Sequence, residues 1–217
     1  MAETTIDHTV TSGTFSLDGG TWDVENNAWV VGDASRCVVI DPAHDLDAVA
    51  SLVGDRTVDA ILLTHAHDDH AALAIEAAQR FDASVHLHPD DLPLWTLTHG
   101  DPAPSFEPLR DGHSISVGDS ELTVIHVPGH SPGSVCFFSE DLAWQGSSPV
   151  LFSGDTLFNG GPGATGRSYS DFSTIIDSIT DRLLTLPKET IVLTGHGGST
   201  RIGDEAPHRQ EWIDRGE

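Results

Sequence analysis

The chain has 217 residues, and its 34 acidic residues against ten basic ones give a formal charge of −24. A field of that sign repels phosphate backbones and anionic membranes, which argues against nucleic acid and acidic lipid as partners. The length suits one domain, taken as residues 1–217, with chain enough to bury a layered core.

The N-terminal part reads as a meander of short strands: Thr14 to Leu17, a Gly19-Gly20 turn, Trp22 to Glu25, Ala28 to Val31, and Cys37 to Ile40 closing on Asp41-Pro42. Leu46, Val49, Ala50 and Val53 have helical spacing, and Gly54 ends that helix. A strand from Val58 to Leu63 runs into a histidine-rich loop, and Ala71 to Phe81 has the pattern of one amphipathic helix. Ser84 to Leu87 is another strand. Pro89 to Pro108 reads as a surface loop with a short helix, its Trp95 and His99 apparently exposed. Ser114 to Val117, Glu121 to Val127, Ser134 to Ser139 and Pro149 to Ser153 form a second meander. A helix from Phe172 to Leu186, a strand from Thr190 to Leu193 and a helix near Glu205 to Ile213 complete the chain. Two β-rich halves with helices on their outer faces predict two sheets packed face to face.

The first twenty residues carry no basic start followed by an apolar core, and no apolar run is long enough to cross a bilayer, so the expectation is a cytoplasmic protein. Cys37 and Cys136 lie in apolar strand-like runs, where a buried free thiol is expected.

Thr64-His65-Ala66-His67-Asp68-Asp69-His70 places three imidazoles and two carboxylates directly after the apolar run Ala60 to Leu63. Nitrogen and carboxylate ligands on the rigid end of a strand are what a zinc-like cation requires. Three later stretches repeat the form of apolar strand, small residue and ligand: Val124 to His130 (with Pro128-Gly129-His130), Val150 to Thr156 (with Gly154-Asp155) and Ile191 to Gly197 (with Gly195-His196). A glycine before each ligand removes side-chain bulk where the chain must turn into a crowded site.

His-x-His-x-Asp-His, the Pro-Gly-His-Ser-Pro-Gly loop, Ser-Gly-Asp-Thr-Leu-Phe and Thr-Gly-His together resemble the metallo-β-lactamase fold superfamily over Thr64 to His196. The resemblance implies an α/β fold, an αβ/βα four-layer sandwich of two mixed β-sheets with helices on the outer faces. It implies one metal on His65, His67 and His130, a second on Asp69, His70 and His196, and Asp155 bridging the two. Asp68 is expected to stay out of direct coordination. An aspartate at the bridging position, where true β-lactamases usually carry cysteine or serine, favours the hydrolase branch.

Ser153 to Phe158, Gly166-Arg167 and Thr194 to Gly197 are similar to glyoxalase II, the hydroxyacylglutathione hydrolases. The loop Gly160 to Arg167 is longer than the family's corresponding turn, and about twenty residues follow His196, so no C-terminal helical substrate domain is expected. In both respects the chain resembles compact bacterial members, particularly actinobacterial ones, which implies a mycothiol conjugate as a possible thioester substrate.

The implied cofactors are two divalent ions, zinc first, with iron and manganese as alternatives. Such a pair brings a bridging water's pKa down to about 7, and the resulting hydroxide attacks the thioester carbonyl. Asp69 is expected to orient that nucleophile, and Arg167 and Tyr169 to contact substrate. The remaining histidines (His8, His44, His86, His88, His99, His113, His126 and His208) are expected to be structural or surface residues. The alternatives are a mononuclear iron persulfide dioxygenase, a lactone or phosphodiester hydrolase on the same fold, and a metal-stabilised binding module without catalysis. Oligomeric state is not legible.

Overall fold

The computed structural model describes residues 3–216. It begins with a long antiparallel hairpin, β1 (Thr5–Leu17) and β2 (Gly20–Gly32), turning at Asp18-Gly19 with positive φ at both residues. That geometry matches the twist of the flanking strands. The expected short strands of this region are thus parts of two 13-residue ones. β3 (Arg36–Ile40), helix α1 (Leu46–Val53), β4 (Thr57–Leu62), the single turn α2 (Asp68–Ala71), α3 (Ala74–Phe81), β5 (Ser84–Leu87), α4 (Leu92–His99) and β6 (Glu107–Pro108) complete the first half. The expected single helix from Ala71 to Phe81 is broken at Ala72-Leu73, because α2 belongs to the metal loop.

The second half runs β7 (Ser114–Val117), β8 (Ser120–His126), β9 (Val135–Ser139), β10 (Val150–Gly154), the small pair β11 (Leu157–Phe158) and β12 (Gly161–Pro162), and α5 (Phe172–Ser178), which continues as a wider turn through Leu183. β13 (Ile191–Thr194), β14 (Thr200–Arg201), α6 (Ile202–Glu205) and α7 (Arg209–Arg215) close the chain.

The strands form two six-stranded mixed sheets, ordered β1-β2-β3-β4-β5-β6 and β14-β13-β10-β9-β8-β7. Their central strands are buried on both faces, and the period-two alternation of side chains divides them among three cores. Val38, Ile40, Val124, Phe137, Phe152 and Leu193 meet between the sheets. Cys37, Val39 and Ile61 face outward onto Leu46, Val49, Ala74 and Ala77 of α1 and α3. Cys136, Leu151 and Val192 face the opposite way onto Ile175, Ile176 and Trp212. Helix, sheet, sheet, helix is the expected four-layer sandwich.

Trp95 departs from expectation: it is fully buried, with its indole N–H donating to the carbonyl of Pro104 at 2.8 Å, so the proline-rich segment covers the first core. Both cysteines are free and buried, and burial pushes the Cys37 thiol up to about 11 and that of Cys136 to about 12. No helix among the described residues is long and apolar enough to cross a membrane.

Candidate metal centre

β3 pairs parallel with β4, and β10 parallel with β13, so their carboxyl ends come out on the same edge of each sheet. Loops at such edges are where open α/β sheets place ligands. Asp41 follows β3, His65 and His67 follow β4, Asp155 follows β10 and His196 follows β13. His130 arrives on the loop after β8. The glycines preceding the ligands fit their places tightly. Gly154 takes a positive φ of 49° and a Cβ there would overlap Thr64, while a Cβ on Gly195 would overlap the carboxylate of Asp155 and the ring of His70.

The structure brings all seven ligating side chains expected from sequence into one cluster. His65, His67 and His130 offer nitrogen atoms to a common point, and Asp69, His70 and His196 offer a carboxylate oxygen and two nitrogen atoms to another. Asp155 lies between them. Its Oδ2 is 3.6 Å from His130 Nε2 and 3.2 Å from His196 Nε2, and its Oδ1 is 3.4 Å from His70 Nε2.

The orientation of each ring is fixed from behind. His196 Nδ1 donates to the carbonyl of Glu25 at 2.7 Å and His130 Nδ1 to that of Ala164 at 2.9 Å, which turns both Nε2 atoms inward. Asp41 Oδ2 sits 3.0 Å from His70 Nδ1 and accepts from the Thr64 hydroxyl at 2.7 Å, and that hydroxyl meets His65 Nδ1 at 3.1 Å. Asp91, wholly buried, accepts from Ala66 N–H, the Ser131 hydroxyl and Gly133 N–H, tying the first histidine loop to the His130 loop. Asn26 donates to Asp69 Oδ2 at 3.0 Å and accepts from His44 Nε2 at 2.8 Å.

Sequence reasoning missed all of these supports. Asp41 had a signal, since it ends an apolar strand as the ligands do. Asp91, Asn26 and His44 had none; His44, expected to be a structural or surface residue, supports Asn26. Asp68, by contrast, stays out of the cluster as expected: it accepts from Ser16 N–H at 3.0 Å and anchors the hairpin to α2.

The polar atoms left over test whether this set suits a metal. His65 Nε2, Asp69 Oδ1 and Asp155 Oδ1 are buried without a hydrogen-bond partner, and His67 Nδ1 meets His130 Nε2 at 3.0 Å. Orphaned acceptors and facing imidazole nitrogens are costly in a buried site unless a cation is shared among them. Burial and neighbouring imidazoles push the His65 pKa well below the ordinary value and that of His67 to about 3, so these rings are neutral and ready to ligate. At His70 and His196 burial acts the same way, but the nearby carboxylates outweigh it: His70 is raised well above the ordinary value and His196 to about 10. Burial raises Asp69, yet His70, His196 and Asn26 hold it at about 2. The donors fit a pair of divalent ions.

A cavity of about 240 Å³ opens onto Asp69, His130, Asp155 and His196, and its outer wall is Phe15, Val24, Phe158, Ala164 and Arg167. The Arg167 guanidinium lies over the Trp22 ring at 4.0 Å and near Phe15 at 5.3 Å. Tyr169 is 47% exposed and stands outside that wall. Elsewhere His88 and His126 stack at 4.0 Å beside Asp90, but His126 Nε2 is engaged with the carbonyl of Pro132.

Residues 21–196 match the Metallo-beta-lactamase superfamily. The hydroxyacylglutathione hydrolase GloC of Haemophilus influenzae is 30% identical over 198 residues, covering 85% of this chain and 86% of that protein. Among solved structures, the BLEG-1 B3 metallo-β-lactamase aligns with a TM-score of 0.74 at 31% identity, over 92% of this chain and 98% of the other. TTHA1623 in a di-iron-bound form aligns with a TM-score of 0.72 at 33% identity, over 90% and 96% of the two chains. With its two-sheet sandwich, its histidine and aspartate clusters at one sheet edge and these matches, the chain belongs to the metallo-β-lactamase superfamily.

Proposed function

We propose that the protein is a dinuclear metal-dependent hydrolase that cleaves the thioester of a small thiol carrier. The observation that carries this reading is the position of Asp155, whose Oδ2 lies between His130 of one cluster and His196 of the other while its Oδ1 faces His70, beside one open cavity. Similarity to GloC supports the thioester as the bond cleaved.

In this reading His65, His67 and His130 hold one ion, Asp69, His70 and His196 the other, and Asp155 spans both. A divalent pair supplies Lewis acidity, acidifying water towards neutral pH and polarising a carbonyl oxygen. Asp69 has one oxygen held by Asn26 and the other free, so the free Oδ1 can accept a hydrogen from the attacking water and fix its direction. Phe15, Val24 and Phe158 form an apolar wall for the acyl group. Among the described residues no carboxylate pairs with Arg167, so its charge, positioned by Trp22, can receive an anionic group of the substrate. Tyr169 would reach only the outer end of a longer carrier. A thiolate is stable enough to leave without a protonated partner.

Purified protein reconstituted with zinc, iron or manganese and assayed against glutathione, mycothiol and coenzyme A thioesters tests this. Hydrolysis of at least one, lost on chelation, is expected. Two bound metals with no thioester cleaved would overturn the reading, and one iron with oxygen uptake would replace it with a dioxygenase. The similarity to BLEG-1 favours β-lactam hydrolysis as the second reading, and a chromogenic cephalosporin in the same assay separates the two.

A further inference from the structure

Glu205, at the end of α6, is a buried carboxylate that the metal centre does not use. Among the described residues no lysine, arginine or histidine pairs with it. A buried carboxylate without a cation costs free energy that its hydrogen bonds must offset, so where those bonds go is informative. Both oxygens accept from Gly160 N–H, each at 3.2 Å, and Oε1 also accepts from the Thr200 hydroxyl at 2.6 Å. Glu205 thus clasps the root of the loop from Gly160 to Arg167 onto β14.

That loop meets the centre at three points. Gly163 passes so close to Asp155 that a Cβ on it would overlap the Asp155 carbonyl, and its N–H donates to the carbonyl of Thr156 at 3.0 Å. Ala164 supplies the carbonyl that accepts from His130 Nδ1. Arg167 stands over Trp22 at the mouth of the cavity. Downstream, Asp171 N–H donates to the carbonyl of Gly129 at 2.8 Å, a tie between backbone groups beside His130. At the root the two-residue pairing of β11 with β12 is reinforced by the side chain of Glu205.

We propose that Glu205 is a positioning residue for the metal centre: by fixing the root of this loop it sets the Ala164 carbonyl that orients His130 and the place of Arg167 at the mouth. This rests on the reading above, in which His130 holds the first ion and Arg167 receives the substrate. A carboxylate suits the task better than an amide, since its two acceptor oxygens meet an N–H and a hydroxyl at once and its charge strengthens both bonds.

Hydrogen exchange of metal-free wild type, Glu205→Ala and Glu205→Gln reads the loop without metal or substrate. The amides of Gly160 and Gly163 are expected to exchange at least about 10-fold faster in the Ala variant, and by a smaller factor in the Gln variant, with Asp171, β10 and β13 unchanged. Zinc titration against a chromophoric chelator reads the centre, in a His196→Ala background that leaves the all-nitrogen set to bind alone. There Glu205→Ala is expected to weaken zinc by about 10-fold and Glu205→Gln by less. Unchanged exchange at Gly160 and Gly163 would overturn the proposal, and so would unchanged zinc affinity, because a residue of general stability moves neither selectively. If the Ala variant does not fold, the Gln variant is read in its place by the same two outcomes. No zinc bound by His196→Ala alone would overturn the proposal together with the ligand assignment. Absence of thioester hydrolysis in wild type would overturn the function proposed above and leave the role of Glu205 standing.

Discussion

The cluster of His65, His67 and His130 is all nitrogen and buried, whereas that of Asp69, His70 and His196 mixes carboxylate with imidazole and leaves the His196 side chain 25% exposed. Their electrostatics differ accordingly. Burial pushes His65 and His67 towards the neutral form, while Asp69 and Asp155 draw protons onto His70 and His196, with Asp41 adding to the effect at His70. The supports differ too: Asp91 braces the first set through backbone N–H groups, and Asp41 and Asn26 touch the second set directly. One half-site is a stiff cage ready for a cation. The other must release protons to accept one.

The largest effect should come from the one residue the halves share. Asp155→Ala is expected to lower thioester hydrolysis by more than about 100-fold and to reduce total metal, measured by activity and elemental analysis; an active variant retaining two metals would break the bridging assignment. Next, His67→Ala and His196→Ala should separate the halves. Each is expected to retain about one equivalent of metal, but only His196→Ala should leave the all-nitrogen set intact and so hold that equivalent with wild-type affinity.

The supports sharpen the contrast further. Asp41→Asn is expected to weaken the second metal by about 10- to 100-fold and the first by less, since Asp41 meets His70 directly and His65 only through the Thr64 hydroxyl. Asp91→Asn should lower the thermal stability of the metal-free protein by about 1–3 kcal/mol, because an amide cannot accept from all three donors that Asp91 now satisfies. The smallest effect lies away from the centre: Asp45 caps α1 by accepting from the N–H groups of Asp47 and Ala48, and Asp45→Ala should cost about 1 kcal/mol in a denaturant melt without altering metal content.

The stretches that hold the candidate ligands were legible because each follows an apolar strand that stops abruptly, and such a break in pattern survives in one dimension. The layered fold was legible for the same reason, since β10 and β13 begin as continuous apolar runs and β4 ends in one. The hairpin was not. From Thr5 to Ser12 it is rich in threonine and mostly partly or fully exposed, so no alternation marks it until its partner is known. Asn26, His44 and Asp91 act across gaps in sequence of 18 to 43 residues, through contacts that exist only once the sheets have closed. Nothing in the local text of Glu25-Asn26-Asn27 or Pro89-Asp90-Asp91 distinguishes them from turn residues.

Strand β2 carries Asn26 at the metal cluster and, four residues earlier, Trp22 beneath Arg167 at the mouth of the cavity. One rigid segment therefore enters two binding equilibria. On the proposed reading the two are linked: if substrate held at Arg167 steadies β2 and so tightens the hold on the second ion, loading that ion raises affinity for substrate by the same factor.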